Sequence, residues 1–124
     1  MANRAKRKGN DGEAMVEDFL RSMGVTCVRR RSTSHEGSAH DDGDLLAIIG
    51  GMEVCVEVKA QDSPRYSGWY AETQEEKANA GADIGLLVHK PKGKGARSVR
   101  EFPCMVSMGD LIDLALGKDA GIRF

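Results

Sequence analysis

The chain has 124 residues, of which 40% are hydrophobic, 30% are charged and 5% are aromatic. That length accommodates one ordinary domain, and the composition excludes a chain that is disordered throughout. No apolar run approaches the ~20 residues of a membrane-spanning helix, so we expect one cytoplasmic domain over residues 1–124 and no membrane partner. Its basic N-terminal segment, residues 1–9, can be flexible.

An amphipathic helix is the first predicted element, over residues 11–23. Apolar side chains recur there at three- and four-residue spacing, while Asn10 can cap the start and Gly24 can end the helix. Residues 25–31 are rich in β-branched side chains and predict a strand. Residues 32–43 are small, polar or charged, which predicts a loop.

The next element is a β-hairpin. Residues 44–49 and 52–59 are two apolar runs on either side of Gly50-Gly51, which can take the positive φ angles of a tight turn. Facing residues then have numbers that sum to 101, which puts Asp44 opposite Glu57. Because side chains alternate along a strand, Glu57 and Lys59 share one face with Cys55, and the intervening valines share the core face.

The remaining pattern predicts a helix, two strands and a last helix. Residues 67–80 form a helix that stops at Gly81, residues 84–89 form a strand, and residues 90–100 form a basic loop. A strand over residues 102–106 and a helix capped by Ser107 follow. The order α-β-β-β-α-β-β-α predicts an α/β fold with a central mixed sheet flanked by helices.

Two carboxylates that face each other across a hairpin indicate a metal site. Like charges in that position destabilise the pair by up to ~1 kcal/mol, and a divalent cation between them removes the repulsion. Mg²⁺, with Mn²⁺ able to substitute, prefers hard oxygen ligands such as the carboxylates of Asp44 and Glu57. Lys59 directs an ammonium group to the same place, where it can position a water or stabilise charge on phosphoryl oxygens. The set favours metal-assisted phosphodiester hydrolysis.

The residues alone also allow a simpler interpretation. Asp44 can mark a strand end, Glu57 can be a surface acid, and Lys59 can form an exposed ion pair that contributes little. The cysteines Cys27, Cys55 and Cys104 lie far apart, so we expect buried reduced thiols and no zinc site.

Basic residues are concentrated in three segments that contain no acid. Residues 1–8, 29–31 and 90–100 hold 12 of the 18 lysines and arginines, although the net charge of the chain is -1. An acidic centre with basic segments around it is typical of a surface that follows DNA phosphates. The alternative is three solvated loops.

The motif residues resemble a known nuclease pattern. Asp44, then Glu57-Val58-Lys59 on the next strand, after a helix that bears Glu13, resembles the PD-(D/E)xK nuclease superfamily. More narrowly, the chain is similar to Holliday junction resolvases of the Hjc type and to small bacteriophage resolvases, through residues 5–9, Gly24, Val28-Arg29, the serine-rich loop, Gly68-Trp69, residues 78–83 and residues 85–90.

This resemblance implies a restriction-endonuclease-like core and a homodimer that makes paired nicks across a four-way DNA junction. It assigns Glu13, Asp44, Glu57 and the Val58 carbonyl to the metal and makes Lys59 the catalytic lysine. Gln74, on the second helix, corresponds to a polar residue that faces the site. DNA contacts are expected from Lys6, Arg7, Lys8, Arg29, Arg30, Arg31, Ser32, Ser34, Lys90, Lys92 and Lys94.

The chain departs from the family pattern just before the motif aspartate. Gly43 replaces the usual proline, and Asp41 and Asp42 precede Asp44, so either of them could share its role. The hairpin register favours Asp44. Glu13 has an alternative as well, because Asn10 and Glu13 have the spacing of a helix capping box.

Aromatic and histidine residues give less specific signals. Trp69 and Tyr70 could stack on a base or sugar, but a lone tryptophan is more often in the core or in a dimer interface. His89 ends a strand and is expected to be structural.

The sequence therefore predicts a Mg²⁺-dependent, structure-selective endonuclease that resolves Holliday junctions, in the host cytoplasm if the chain is phage-encoded. The alternatives are another PD-(D/E)xK nuclease of the restriction or repair type, and a catalytically silent DNA-binding module.

Overall fold

The computed structural model describes residues 4–30 and 44–117, with the backbone alone described for residues 4–10, Arg30 and Asp44. Helices and strands follow one another in the predicted order, with one short 3-10 helix added. The elements are α1 (Arg4–Ser22), β1 (Thr26–Arg30), β2 (Asp44–Ile49), β3 (Met52–Lys59), α2 (Tyr66–Ala80), β4 (Ile84–His89), the 3-10 helix (Ala96–Glu101), β5 (Cys104–Met105) and α3 (Met108–Leu116).

The five strands form one mixed sheet in the order β1-β2-β3-β4-β5. Strand β3 pairs antiparallel with β2 and parallel with β4, and the outer pairs β1–β2 and β4–β5 are antiparallel. The parallel pair needs a long connection, which α2 supplies. The α/β class and the mixed sheet predicted from the sequence are therefore confirmed, and the arrangement is that of a restriction-endonuclease-like core.

The hairpin has the predicted register. Gly50 and Gly51 have φ angles of 60° and 79°, and Ile49 pairs with Met52. Leu45 pairs with Val56 four residues further along each strand, so the numbers of facing residues sum to 101. This register fixes which residues of β3 face the core.

The core lies between α1 and one face of the sheet. Val54, Val56 and Val58 are buried there and belong to the same apolar cluster as Val16 of α1. Close approach depends on Gly12, because a Cβ atom at that position would lie 3.3 Å from Cγ1 of Val58. The valine face of β3 is thus the core face, as predicted.

The opposite face of β3 and β4 is covered by α2. Cys55 is completely buried. Its parallel partner Gly85 lies directly under Lys77 and Gln74 of α2. Glu57 and Lys59 therefore lie at the margin of a covered surface.

Several predicted boundaries were wrong. Helix α1 begins at Arg4, so Asn10 lies inside the helix and does not cap it. The basic loop after β4 contains the 3-10 helix, and the last strand has only two residues. Cys104 as a residue is exposed, with its sulfur partly covered, whereas the sequence predicted a fully buried thiol.

Other local predictions were confirmed. Gly81 ends α2 with a φ of 67°, and the Ser107 side chain accepts a hydrogen bond from the backbone N–H of Asp110 at the start of α3. In the parts of the chain that the structure describes, no helix is long and apolar enough to cross a membrane.

Candidate active site

Strand β3 brings Glu57 and Lys59 together near its C-terminal end. They are two residues apart, so both side chains point to the α2 side of the sheet. The side chains are 19% and 20% exposed, and Lys59 Nζ lies 3.4 Å from Oε2 of Glu57. A carboxylate and an ammonium group are thus held side by side at a partly covered position.

Asp44 is the first residue of β2, where its backbone pairs with Arg30 of β1. The paired residues of the hairpin end at Leu45–Val56, and one further step along both strands leads to Asp44 and Glu57. The carboxylate of Asp44 lies outside the described residues, as do Asp41 and Asp42. The pairing of Asp44 with Glu57 therefore stays a prediction from the register.

A third charged residue, Glu72, joins the pair from α2. Its Oε1 lies 2.7 Å from Lys59 Nζ, which is closer than Glu57. Glu72 could not be predicted from the sequence, because the rotation of α2 about its axis decides which side chains meet β3. The one available signal was the topology, since a helix that connects two parallel strands packs over one face of them.

The surroundings of Lys59 act on its pKa in opposite directions. Burial is the largest single influence and lowers the pKa, because it disfavours the charged form. The hydrogen bond to Glu72 and the negative charges of Glu57 and Glu72 together outweigh burial, so the pKa of Lys59 is raised. Lys59 is therefore an ammonium ion at neutral pH.

Glu13 is placed on α1, which packs against the valine face of the sheet. Its Oε1 lies 3.7 Å from Nη1 of Arg29 on β1. The capping-box alternative is wrong, because Asn10 and Glu13 both lie inside α1. Among the side chains that the structure describes, those of residues 11–29 and 45–117, no group of three or more histidine, cysteine, aspartate or glutamate residues is close enough to hold a metal ion.

Gln74 lies on the sheet side of α2, above Gly85. Its amide nitrogen Nε2 is buried and has no hydrogen-bond partner in the described part of the chain. A Cβ atom on Gly85 would be 3.4 Å from it. Gln74 therefore faces the same side of the sheet as Glu57 and Lys59, and its catalytic role stays a prediction.

The predicted DNA-binding residues have different surroundings. Arg29 is engaged by carboxylates of α1, since its Nη2 lies 3.2 Å from Oε1 of Glu17. Hydrogen bonding from Arg21 and then from Arg29 lowers the pKa of Glu17, although burial opposes the shift.

The other predicted DNA-binding residues differ in exposure. Lys92 and Lys94 are exposed, and Lys90 is half-buried. Lys6, Arg7 and Lys8 belong to α1 and Arg30 to β1 by their backbone, and Arg31, Ser32 and Ser34 lie outside the described residues.

An aromatic cluster fixes the start of α2 over the sheet. The ring centroids of Trp69 and His89 are 5.2 Å apart, and those of Tyr66 and His89 are 5.5 Å apart. The imidazole of His89 contacts the Tyr66 hydroxyl at Nδ1 and the Gln61 carbonyl at Nε2. Because a carbonyl can only accept, Nε2 is the donor in its contact with Gln61. Trp69 and His89 are buried and structural, as expected.

The donor set fits magnesium. Mg²⁺ is commonly held by one or two carboxylates together with waters and phosphate oxygens. Glu57 supplies a partly exposed carboxylate on the site side of the sheet, and the hairpin register, extended by one residue beyond the Leu45–Val56 pair, predicts Asp44 opposite it. Val58, between Glu57 and Lys59, has a main-chain carbonyl that can add a further oxygen ligand.

A family comparison agrees with this geometry. The family model of archaeal Holliday junction resolvases (Hjc) matches residues 4–67, just over half of the chain. The chain belongs to this family. The match spans α1 and the first three strands, and so includes Glu13, Asp44, Glu57 and Lys59 of this Hjc-family chain. Curated proteins and solved structures give no significant match. The family makes the chain a nuclease of the Holliday junction resolvase type.

Proposed function

We propose that this Hjc-family chain is a metal-dependent, structure-selective endonuclease that resolves four-way DNA junctions by paired phosphodiester cleavage. The observation that carries the proposal is the Glu57–Lys59 pair on β3. Extending the hairpin register by one residue beyond the Leu45–Val56 pair predicts Asp44 opposite Glu57. A carboxylate and an ammonium group held at 3.4 Å can act on one phosphate at the same time.

Asp44, Glu57 and the Val58 carbonyl are the proposed ligands of Mg²⁺, and Glu13 is proposed as a further acid from α1. When bound, the metal supplies a water of lowered pKa and offsets charge that develops on the phosphate. Mn²⁺, which accepts similar oxygen ligands, is expected to substitute for Mg²⁺.

Lys59 has the proposed role of a charged hydrogen-bond donor. In the metal-free chain the pKa of Lys59 is raised by its carboxylate partners, so Lys59 carries its proton at neutral pH. An ammonium group beside the scissile phosphate can orient the attacking water or stabilise the phosphoryl oxygens in the transition state. Gln74, on the same side of the sheet, is proposed to help to orient the substrate.

The basic segments are proposed to bind the arms of the junction. The exposed Lys92 and Lys94 follow β4, whose last residue His89 is the parallel partner of Lys59. Phosphate contacts of this kind add affinity without reading sequence and weaken as salt is added.

Paired cleavage requires two active sites, so a homodimer is proposed. A four-way junction has pairs of equivalent strands, and a two-fold dimer presents one site to each strand of a pair. The proposed location is the cytoplasm. If the chain is encoded by a bacteriophage, this is the cytoplasm of the host.

The test is a cleavage assay with labelled four-way junctions and matched linear duplexes. Each substrate is incubated with Mg²⁺, with Mn²⁺ or with a chelator. Paired nicks in the junction with either metal, and none with the chelator, are the expected result. Cleavage of the duplex at the same rate would instead indicate a restriction-like or repair nuclease of the same superfamily.

Variants test the residues of the site. Glu57→Gln and Lys59→Ala should abolish cleavage while junction binding in gel-shift assays stays near that of the unaltered chain. Glu101→Gln, on the exposed surface of the 3-10 helix, is the control and should cut normally. Junction binding without cleavage by the unaltered chain would favour the silent DNA-binding module.

A further inference from the structure

In the described part of the chain Lys59 has two carboxylate partners, and the closer one lies outside the nuclease motif. Nζ is 2.7 Å from Oε1 of Glu72 and 3.4 Å from Oε2 of Glu57. The first distance is that of a strong charge-assisted hydrogen bond, and the second is that of a looser ion pair. Glu72 is therefore the main restraint on the position of the ammonium group.

The two carboxylates differ in the proposed reaction, because Glu57 is a proposed metal ligand and Glu72 is not. If Glu57 binds Mg²⁺, its negative charge is shared with the cation, and the cation itself repels the ammonium group. The attraction between Glu57 and Lys59 then weakens at the stage at which the position of Lys59 matters. A second carboxylate on another element, which does not bind the metal, keeps its full attraction for Lys59.

Helix α2 is well suited to hold that second carboxylate. Trp69 and Thr73 are buried on either side of Glu72 in sequence, and the Thr73 hydroxyl donates to the Trp69 carbonyl at 2.8 Å. Trp69 also packs against His89, which is the parallel-strand partner of Lys59. The backbone of Glu72 is thus fixed relative to Lys59, while its side chain, 53% exposed, reaches the ammonium group from the solvent side.

We propose that Glu72 is a positioning residue that holds the ammonium group of Lys59 beside the scissile phosphate once Glu57 is engaged by the metal. This inference rests on the proposed nuclease function and adds a residue that lies beyond the stretch matched by the family model. Glu72 contacts Lys59 and acts through it.

The first measurement needs no activity and no metal. In the ¹⁵N-labelled, metal-free protein, side-chain ammonium resonances are recorded for Lys59 and for Lys77, whose Nζ is held by Asp110 at 3.1 Å. Lys59→Arg identifies the Lys59 signal, and Lys77 is the internal reference. Because Glu57 makes only the longer contact with Lys59, Glu72→Gln should markedly broaden the Lys59 signal and leave the Lys77 signal unchanged. A Lys59 signal that is as sharp in Glu72→Gln as in the unaltered chain overturns the proposal.

The second measurement is the rate of junction cleavage. Displacing a reacting group by about 1 Å can cost about 100-fold in rate, and loss of one restraint on a flexible side chain should displace Lys59 by less than that, so we expect Glu72→Gln to lower kcat about 10-fold. The KM for the junction and the melting temperature should stay unchanged, because Glu72 is largely exposed. Glu75→Gln, an exposed acid on the same helix, is the matched control and should keep full kcat.

The two readouts separate failure of this proposal from failure of the nuclease function. A kcat for Glu72→Gln equal to that of Glu75→Gln overturns the positioning role. If Glu72→Gln instead lowers both kcat and the melting temperature, Glu72 has a structural role. If the unaltered chain cuts no junction, the proposed function fails, and the metal-free spectrum still decides whether Glu72 holds Lys59.

Discussion

Gly85→Ala tests the packing that sets α2 over the site. A Cβ atom at Gly85 would lie 3.2 Å from Cβ of Lys77 and 3.4 Å from Nε2 of Gln74. Non-bonded carbon atoms prefer ~3.5–4.0 Å, so α2 would have to move away by about 0.3–0.8 Å. Lys77 yields little, because its Cβ is tied to the helix backbone and its ammonium group binds Asp110, which also accepts the Gly85 N–H.

The net effect on stability follows from two opposed contributions. Overpacking of this kind costs about 1–3 kcal/mol. Replacing glycine in a strand by alanine recovers about 0.5–1 kcal/mol of backbone entropy. We expect Gly85→Ala to lower the free energy of unfolding by about 1–2 kcal/mol, and the melting temperature by about 3–8 °C, as judged by circular dichroism.

Gly109→Ala is the matched control for this substitution. Gly109 lies in the first turn of α3, and no atom lies within 4 Å of a Cβ placed there. The control should therefore be neutral or stabilise by up to ~1 kcal/mol. A Gly85→Ala variant as stable as the control would refute the idea that α2 rests directly on this glycine. Slower junction cleavage by Gly85→Ala would connect the packing to the site.

Further predictions concern acid stability, thiol reactivity and assembly. The pKa of Glu17 is lowered in the folded chain, so its stabilising contribution is complete above the usual glutamate range and is lost as the pH falls through the lowered value. Glu17→Gln should flatten the acid limb of the melting-temperature profile, and Asp18→Asn should not. In the folded chain only the thiol of Cys104 should react with a maleimide, slowly because burial of its sulfur raises its pKa, and Cys104→Ser should remove this reaction. Sedimentation at micromolar concentration should give the mass of two chains, and a monomer that makes paired cuts would contradict the dimer.

The hairpin could be predicted residue by residue because its determinants are local. Two adjacent glycines allow the turn, and the alternation of Val54, Val56 and Val58 decides which face is buried. Register then follows from the turn, since a slip of one residue would exchange the two faces. The same local reasoning gave the place of Glu57 and Lys59 on one face of β3.

The start of α1 could not be predicted because its cause is tertiary. Asn10 is a favourable capping residue and Gly12 weakens an isolated helix, so the local pattern favoured a start near residue 11. In the folded chain Gly12 is the point at which α1 approaches Val58, and the helix continues back to Arg4. Packing against the sheet thus overrides local propensity.

The role of Glu72 could not be predicted either, because it also depends on tertiary packing. Helix α2 carries few apolar side chains, and its buried residues are Trp69 and Thr73. A pattern so sparse does not fix the rotation of the helix over the sheet. The contact between Glu72 and Lys59 therefore needed the three-dimensional structure.

The outer position of β1 bears on how arginine variants should be interpreted. An edge strand presents backbone groups on which another chain can add a strand, and charged side chains such as those of Arg29 and Arg30 discourage that pairing. Neutral substitutions made there to probe DNA binding would also remove protection against aggregation. A loss of junction affinity in such variants becomes informative only when light scattering shows that the protein has stayed dispersed.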